Sequence, residues 1–284
     1  MCCDRVIGRF GRNQRKPNWG KIIVFKIIAA SLILLSGSVA AHAADRTGQT
    51  IKLGIDPTYP PLEFKKPDGS LTGFGVEITE AICAELRAKC IWVESSWDGI
   101  IPSLQARKFD IIASSMTITE KRKEQIAFSD KYSNAPSRLV ARRGSGLEPT
   151  PESLKGKRIG VQQGSSQETY AMAVWRPAGV EVVAYQTQDQ IYSDLGSGRL
   201  DASLQASIQA SDGFLKKPEG QEFEFAGQDM NDPMYFGIGS GFGLRKEDAE
   251  LREDVNKAIA AIVADGTYKS INDKYFDFDA YGGQ

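Results

Sequence analysis

Strand-like and helix-like patterns of hydrophobic residues alternate along the chain after residue 50. Residues 51–55 alternate apolar and polar side chains, which is typical of a strand. Residues 76–86 place apolar side chains four apart, the spacing of one helix face, and residues 109–113 form an apolar run as long as a buried strand. Strands alternating with helices predict an α/β fold with a parallel sheet and crossover helices.

The same alternation repeats in the second half of the chain. Its predicted strands cover residues 137–142, 158–161, 180–185 and 200–204. Two similar halves in series predict two lobes with a cleft between them. A last strand at 242–244 and helices up to Tyr275 would return to the first lobe. The chain would then cross between lobes near residues 134–135 and 237–239, and these two crossings would act as a hinge.

Polar residues at two predicted helix starts could either cap the helix or bind an anion. Ser95 and Ser96 predict the cap of a helix that carries Trp97. Gly164–Ser166 is predicted to open another helix, whose N-terminus would attract an anion.

The first 43 residues have the pattern of a signal peptide. Residues 1–21 carry six basic side chains and one acid, residues 22–35 are mostly apolar, and Ala41-His42-Ala43 resembles a cleavage site. The apolar stretch falls short of the roughly 20 residues of a membrane span. We therefore expect cleavage near Ala43 and export, with an uncleaved anchor as the alternative.

Removal of the signal peptide changes the charge and the available chemistry. It leaves 28 basic and 35 acidic side chains, an acidic balance that argues against nucleic-acid binding. The chain's one histidine, His42, leaves as well, which excludes Ser-His-Asp and Cys-His catalysts and His-ligated metal sites. We expect no cofactor, no metal and no catalytic residues.

Two cysteines remain in the exported chain. Cys83 and Cys90 would lie in an oxidising compartment, so one short-loop disulfide is the obvious interpretation. Closing this loop would contribute about 2–3 kcal/mol in the chain-entropy model.

Hydroxyl side chains and an arginine follow the apolar run at 109–113. Ser114, Ser115 and Thr117 would emerge at the carboxyl end of the strand, where ligands bind in α/β sheets, and Arg122 comes five residues later. Hydroxyls beside a guanidinium suit a carboxylate. The alternative is a capped strand end that leads into an exposed helix with a solvated Arg122.

Motifs along the whole mature chain resemble the periplasmic lysine/arginine/ornithine- and histidine-binding proteins of polar amino-acid ABC transporters, type II periplasmic binding proteins of solute-binding family 3. The matching segments are 56–59, 101–104, 114–122, 153–158, 167–169, 189–195, 243–248 and 275–279. The resemblance implies a two-lobed α/β fold with a central cleft and two hinge crossings. Lobe 1 would comprise residues 44–134 plus 238–284, and lobe 2 residues 135–237.

The resemblance also implies a function. The protein would capture a cationic amino acid (arginine, ornithine, lysine or histidine) or a derivative, and deliver it to an inner-membrane ABC permease complex. It would be a monomer and not an enzyme. A distant alternative is an exported enzyme similar to cyclohexadienyl dehydratase, which would need a general acid in the cleft.

Roles for individual residues follow from the same resemblance. Arg122 would hold the ligand carboxylate, and Asp56 would meet the distal cation. Tyr59 and Trp97 would pack on that cation, worth about 0.5–2 kcal/mol. The complete set of candidate ligand-binding residues is Asp56, Tyr59, Trp97, Ser114, Ser115, Thr117, Arg122, Gln162, Ser165, Ser166, Gln167 and Ala206.

Some of these residues also have a purely structural interpretation. Asp56 could cap a turn, Tyr59 or Trp97 could belong to the core, and Ser165 could be only a helix cap. In the ligand-binding interpretation, Ser115, Thr117 and the amides of Ser165 and Ser166 would assist Arg122.

Three positions depart from the family pattern. Relatives place an aspartate that pairs with the ligand α-ammonium where this chain has Ala206, and an apolar residue where it has Gln162. Similar binding proteins for opines also lack this aspartate, so a conjugate such as octopine or nopaline is the alternative ligand. Gly75 replaces an acid that usually starts a helix, and we expect only a structural consequence.

Overall fold

The computed structural model describes residues 45–282. The predicted signal peptide at 1–43 lies outside the described residues. Within the described part of the chain, no helix combines the length and the apolar character needed to cross a bilayer.

Strands and helices alternate through most of the described chain, as the hydrophobic pattern predicts. The strands are β1 (Thr50–Ile55), β2 (Thr58–Tyr59), β3 (Glu63–Lys65), β4 (Leu71–Thr72), β5 (Lys89–Glu94), β6 (Ile111–Thr117), β7 (Ala127–Ser133), β8 (Ser137–Arg142), β9 (Arg158–Gln162), β10 (Glu181–Tyr185), β11 (Ala202–Ala206), β12 (Phe223–Met230) and β13 (Ser240–Leu244). The α-helices are α1 (Phe74–Glu85), α2 (Ile100–Gln105), α3 (Glu120–Lys123), α4 (Pro151–Leu154), α5 (Ser166–Tyr170), α6 (Gln188–Gly196), α7 (Ser207–Ala210), α8 (Pro233–Phe236), α9 (Ala249–Ala264) and α10 (Thr267–Tyr275).

The first large sheet has the strand order β5-β1-β6-β13-β7. Strands β5, β1 and β6 are parallel, whereas β13 runs antiparallel to both β6 and β7. The predicted parallel sheet is thus confirmed for β5, β1 and β6. The complete sheet is mixed because β13 enters it from a distant part of the chain and not through a crossover helix.

The second large sheet has the order β10-β9-β11-β8-β12 and repeats this arrangement. Here β8 runs antiparallel to its two neighbours, and the other contacts are parallel. The hydrophobic pattern did not predict β7 or β12. Both are edge strands that carry several half-buried or exposed polar residues, so neither shows a buried apolar run.

Each large sheet separates two hydrophobic clusters. In β6, Ile111 packs into one cluster and its neighbour Ile112 into another, as expected for side chains that alternate between sheet faces. In β8, Leu139 and Val140 divide in the same way. The two sheets thus have largely separate cores, with Ile208 of α7 packing into the cluster of the first sheet.

The chain passes between the two sheets twice. It leaves the first sheet after Ser133 in β7 and enters the second at Ser137 in β8. It returns between Met230 in β12 and Ser240 in β13, through α8 and Gly237–Gly239.

Cys83 and Cys90 form the predicted disulfide. Their Cα atoms lie 6.2 Å apart, and the bond joins α1 to β5. The predicted cap at Ser95 and Ser96 is wrong, because α2 begins after Gly99 without a side-chain cap. The Ser95 hydroxyl donates to the Ser96 carbonyl oxygen instead, and Trp97 lies before the helix.

Candidate ligand-binding site

One cavity brings together all twelve candidate residues. Its volume is about 750 Å³, counting the space open to solvent. Asp56, Tyr59, Trp97 and the segment from Ser114 to Arg122 reach it from the first-sheet side. The lining from the second-sheet side comprises Ser137, Gln162, Ser165, Ser166, Gln167, Ala206, Ile208 and Phe236. The cavity therefore lies between the two halves of the fold.

Arg122 is buried against both halves. Its Nη1 donates to the Thr117 carbonyl at 2.9 Å and its Nη2 donates to the Gly164 carbonyl at 3.1 Å. Its guanidinium carbon lies 5.3 Å from the ring centroid of Trp97. Burial lowers the pKa of Arg122 to about 10, so the side chain stays charged at neutral pH. The alternative of a solvated Arg122 is wrong, since only 8% of the residue is exposed.

The local chain explains how Arg122 is held there. The Thr119 side chain caps α3 by accepting from the Arg122 amide at 3.3 Å. The cap marks the end of the extended segment that follows β6. From the third position of α3, the Arg122 side chain reaches back to the Thr117 carbonyl at the end of β6. The strand end is thus capped, as the structural alternative proposed, but the arginine it positions lines the cavity.

Asp56 supplies a buried carboxylate to the same cavity. Its Oδ1 accepts from the Thr58 hydroxyl at 2.7 Å and from the Thr58 amide at 3.2 Å. Burial raises the pKa of Asp56, while the hydrogen bonds from Thr58 oppose the shift. Asp56 therefore caps a turn, as its structural interpretation proposed, and also faces the cavity.

Neither charge in the cavity is neutralised by a protein side chain. Within residues 45–282, neither Asp56 nor Arg122 takes part in any of the salt bridges. A buried charge without a partner is costly unless something else binds it. The cavity therefore suits a molecule with an anionic group and a separate cationic group.

The two aromatic candidates are both partly buried. Tyr59 packs against the cluster that includes Phe74, and burial together with the Glu63 carboxyl raises the pKa of its phenol. Trp97 packs against the cluster that includes Ile100. Both rings therefore serve the core and line the cavity.

Hydrogen bonds to neighbouring elements hold the two serines of β6 in place. The Ser114 hydroxyl accepts from the Asp56 amide at 3.0 Å, which ties the end of β1 to β6. Ser115 has a φ of 44°, an uncommon backbone conformation for a residue with a side chain. Its amide donates to the Tyr132 hydroxyl at 3.1 Å, and its hydroxyl donates to Glu63 Oε1 at 2.6 Å.

The second half contributes uncharged groups. The Ser165 hydroxyl accepts from the Glu168 amide and caps α5, as its structural interpretation proposed. The Ser165 amide donates to the Gln162 carbonyl at 3.2 Å, so the prediction that this amide assists Arg122 is not supported by its geometry. Gln167 donates to the Ser137 hydroxyl at 2.9 Å.

Ala206 and Gln162, two of the positions at which we expect a departure from the family pattern, both line the cavity. Ala206 ends β11 and pairs with Ser137 of β8. The Gln162 amide group donates to the Gln186 carbonyl at 3.3 Å and accepts from the Gln188 side chain at 3.1 Å. Both polar atoms of Gln162 are therefore already hydrogen-bonded.

Several lining residues were not among the candidate ligand-binding residues of the sequence analysis. They are Thr58, Leu62, Ser133, Ala135, Ser137, Ile208, Phe236 and Ser240. Ser133 and Ser137 flank the first crossing between the sheets, and Ser240 follows the second. The predicted crossings could have identified these three residues. A cleft between two lobes is bordered by the segments in which the chain passes from one lobe to the other.

Comparisons with known proteins agree with this architecture. Residues 51–278 match the model of the bacterial extracellular solute-binding proteins, family 3. The histidine-binding periplasmic protein of Escherichia coli (strain K12) is 51% identical over 258 residues, covering 90% of this chain and 98% of that protein. The lysine/arginine/ornithine-binding periplasmic protein of the same strain is 50% identical over 257 residues, covering 90% and 99%.

A solved structure supports the same assignment. An ancestral arginine-binding protein bound to arginine matches with a TM-score of 0.74 and 36% identity, covering 80% of this chain and 98% of that one. These relatives are binding proteins and not enzymes. The chain belongs to the bacterial extracellular solute-binding proteins of family 3.

Proposed function

We propose that this protein binds a cationic amino acid, namely arginine, ornithine, lysine or histidine. The observation that carries the proposal is the pair of buried, unpaired charges, Asp56 and Arg122, in one cavity. A zwitterionic amino acid with a basic side chain offers an anion for Arg122 and a distal cation for Asp56. The ligands for which the relatives are named, namely histidine in one and lysine, arginine and ornithine in the other, support this class.

Arg122 is suited to the ligand carboxylate. Its guanidinium keeps donors beyond the two that meet the Thr117 and Gly164 carbonyls, and a planar fork favours a carboxylate. The Thr117 hydroxyl and the Ser166 amide would complete the anion site. Asp56 would accept from the distal cation, and Tyr59 and Trp97 would pack beside it.

Two lobes would close over this ligand. We place lobe 1 at residues 44–134 plus 238–284 and lobe 2 at residues 135–237, because the chain crosses between the two sheets at these boundaries. Contacts to one ligand from Asp56 on one side and Ser166 on the other would favour the closed state.

The periplasm is the proposed site of action, and an inner-membrane ABC permease is the proposed recipient of the ligand. The periplasmic relatives support the location, and the expected signal peptide would direct the export. The protein would act as a monomer.

A second ligand class is an amino-acid conjugate such as octopine or nopaline. It rests on Ala206, because the small side chain leaves no acid for an α-ammonium and leaves room for a substituent on the nitrogen.

Isothermal titration calorimetry on the mature protein tests the proposal. The panel comprises arginine, ornithine, lysine, histidine, octopine and nopaline, with glutamine as the neutral comparison. We expect at least one cationic amino acid to bind at least about 100-fold more tightly than glutamine. This ratio corresponds to the loss of one buried charge interaction of about 3 kcal/mol. Equal affinity for glutamine would overturn the cationic class, and tighter binding of an opine would select the second class.

A further inference from the structure

The C-terminal segment, residues 276–282, follows α10 and is held by one buried side chain. Asn272 Nδ2 donates to the Phe278 carbonyl at 2.8 Å, and Asn272 Oδ1 accepts from the Ala280 amide at 2.9 Å. Only 4% of Asn272 is exposed, and Ala280 is completely buried. A buried amide group that bonds one backbone segment with both its donor and its acceptor fixes the conformation of that segment.

The end of this segment reaches the first crossing between the two sheets. The Asn134 amide donates to the Ala280 carbonyl at 2.7 Å. Lys131 Nζ donates to the Gly282 carbonyl at 3.1 Å and lies 5.2 Å from the ring centroid of Tyr281. The C-terminal segment thus holds the residues with which the chain enters the crossing.

Helix α10 supports the same place. The Tyr268 hydroxyl donates to the Tyr132 carbonyl at 2.7 Å, and the Tyr281 ring packs edge-on against Tyr268 with the centroids 5.4 Å apart. Tyr132 is completely buried and stacks on Phe242 of β13. The end of β7 is therefore fixed to the first-sheet half.

One residue of the first crossing is free of such bonds. Asn134 is held from the first-sheet side, and the Pro136 carbonyl accepts from the Ser207 amide of α7, on the second-sheet side, at 2.9 Å. Between them, the backbone of Ala135 makes no hydrogen bond within residues 45–282. Ala135 also lines the ligand cavity. The C-terminal segment therefore determines where the first crossing can bend, beside the ligand.

We propose that the C-terminal segment is a conformational strap that confines bending of the first crossing to Ala135 and so limits the lobe orientations of the unliganded protein. Release of the strap would make Asn134 a second flexible residue. Ordering the backbone of one additional residue on closure would weaken ligand binding about 5- to 30-fold. The inference rests on the proposed closure of the two lobes.

Double electron–electron resonance tests the strap by measuring lobe orientations. Spin labels are attached to one exposed residue of each half, through Lys108→Cys and Lys155→Cys. Asn272→Ala/Tyr281→Ala removes the side chains that hold the C-terminal segment on α10. Without ligand, we expect the variant to widen the distance distribution about 1.5-fold or more relative to wild type. Calorimetry with arginine should show the 5- to 30-fold loss of affinity.

Two control variants lie in the same segment. Tyr281→Phe keeps the ring that packs on Tyr268 and lies beside Lys131. Phe278→Ala removes a half-exposed ring that stacks on Phe276. Both should keep the wild-type distance distribution, including the case in which Phe278→Ala lowers the melting temperature.

A third variant keeps the test independent of the folding of Asn272→Ala/Tyr281→Ala. Lys131→Met retains the apolar stem of the side chain but loses the hydrogen bond to the Gly282 carbonyl. It should widen the unliganded distribution in the same direction, by less than the double variant. Thermal melting establishes which variants fold, and Lys131→Met decides if the double variant does not.

The outcomes separate the strap from the proposed function. An unchanged distribution in the folded variants overturns the strap. An equal widening in Phe278→Ala also overturns it, because the effect would then follow from general destabilisation. A wild-type distribution that arginine leaves unchanged despite proven binding overturns the lobe closure on which the strap rests. Arginine that does not bind wild type counts against the proposed ligand class, and the unliganded distributions then decide the strap alone.

Discussion

The two halves of the molecule share a strand order but differ in the chemistry they bring to the cavity. In each sheet three neighbouring strands are parallel, β5-β1-β6 in the first and β10-β9-β11 in the second. The first strand after a crossing, β13 or β8, runs antiparallel beside them. The first half provides Asp56 and Arg122. The second half lines the cavity with serine, glutamine, alanine, isoleucine and phenylalanine side chains, none of which is charged.

This difference assigns separate tasks to the two halves. Under the proposed function, charge recognition would fall to the first half, where Glu63 is also buried, and the second half would provide neutral hydrogen-bonding groups. Ala206 makes the contrast sharper, because the resemblance places an aspartate there in relatives. Substitutions in each half test this division of tasks.

The largest effect is expected from removing the first-half cation. Arg122→Ala should weaken binding of the preferred ligand by about 2–5 kcal/mol, because the ligand carboxylate would lose its charged partner. Calorimetry measures the loss, and Lys123→Ala on the same helix is the matched control because its side chain is exposed. Near-wild-type affinity in Arg122→Ala would remove Arg122 from the site.

Asp56→Asn should have the next largest effect. We expect a loss of about 1.5–3 kcal/mol for a cationic ligand and a much smaller one for glutamine. Asp98→Asn is the control, since Asp98 is an exposed acid whose charge also acts on Asp56. Equal losses for both ligands would mean that Asp56 supports the turn and does not recognise charge.

Glu63 gives a prediction about stability. Its pKa rises from 4.5 to about 8 on folding, so its contribution is complete below about pH 4.5 and is lost as the pH rises towards 8. Glu63→Gln cannot ionise, so its stability relative to wild type should increase by about 3–4 kcal/mol between pH 5 and pH 8. Chemical denaturation at several pH values measures the difference, and a constant difference would contradict the raised pKa.

The smallest effect is expected at the neutral half. Ala206→Asp should tighten binding of a plain cationic amino acid by about 1 kcal/mol, because the α-ammonium would gain an acid. It should instead weaken binding of octopine or nopaline by steric conflict. Ala206→Asn is the control, because it adds a side chain of the same size without the charge. An unchanged affinity of Ala206→Asp for both ligand types would mean that another group contacts the α-nitrogen of the ligand.

Much of the fold could be predicted from the hydrophobic pattern, and the failures have physical reasons. β1 and α1 carry strong periodic patterns and lie close to their predicted positions. β7 and β12 lie at sheet edges, where half-exposed polar residues obscure the period. The antiparallel position of β13 depends on a contact between distant parts of the chain.

The site shows the same division between local and distant information. Residues at strand ends and in motifs, such as Ser114 and Arg122, could be predicted because their neighbours in sequence carry the pattern. The burial of Glu63 could not be predicted, because Ser115 and Gly75 approach it only in the folded chain.

A crystal structure of the protein with arginine tests the division between the halves most directly. The account predicts the ligand carboxylate on Arg122, the guanidinium group against Asp56, and only uncharged contacts from the second half. A ligand bound in the reverse orientation, or a guanidinium group that contacts second-half residues and not Asp56, would contradict it.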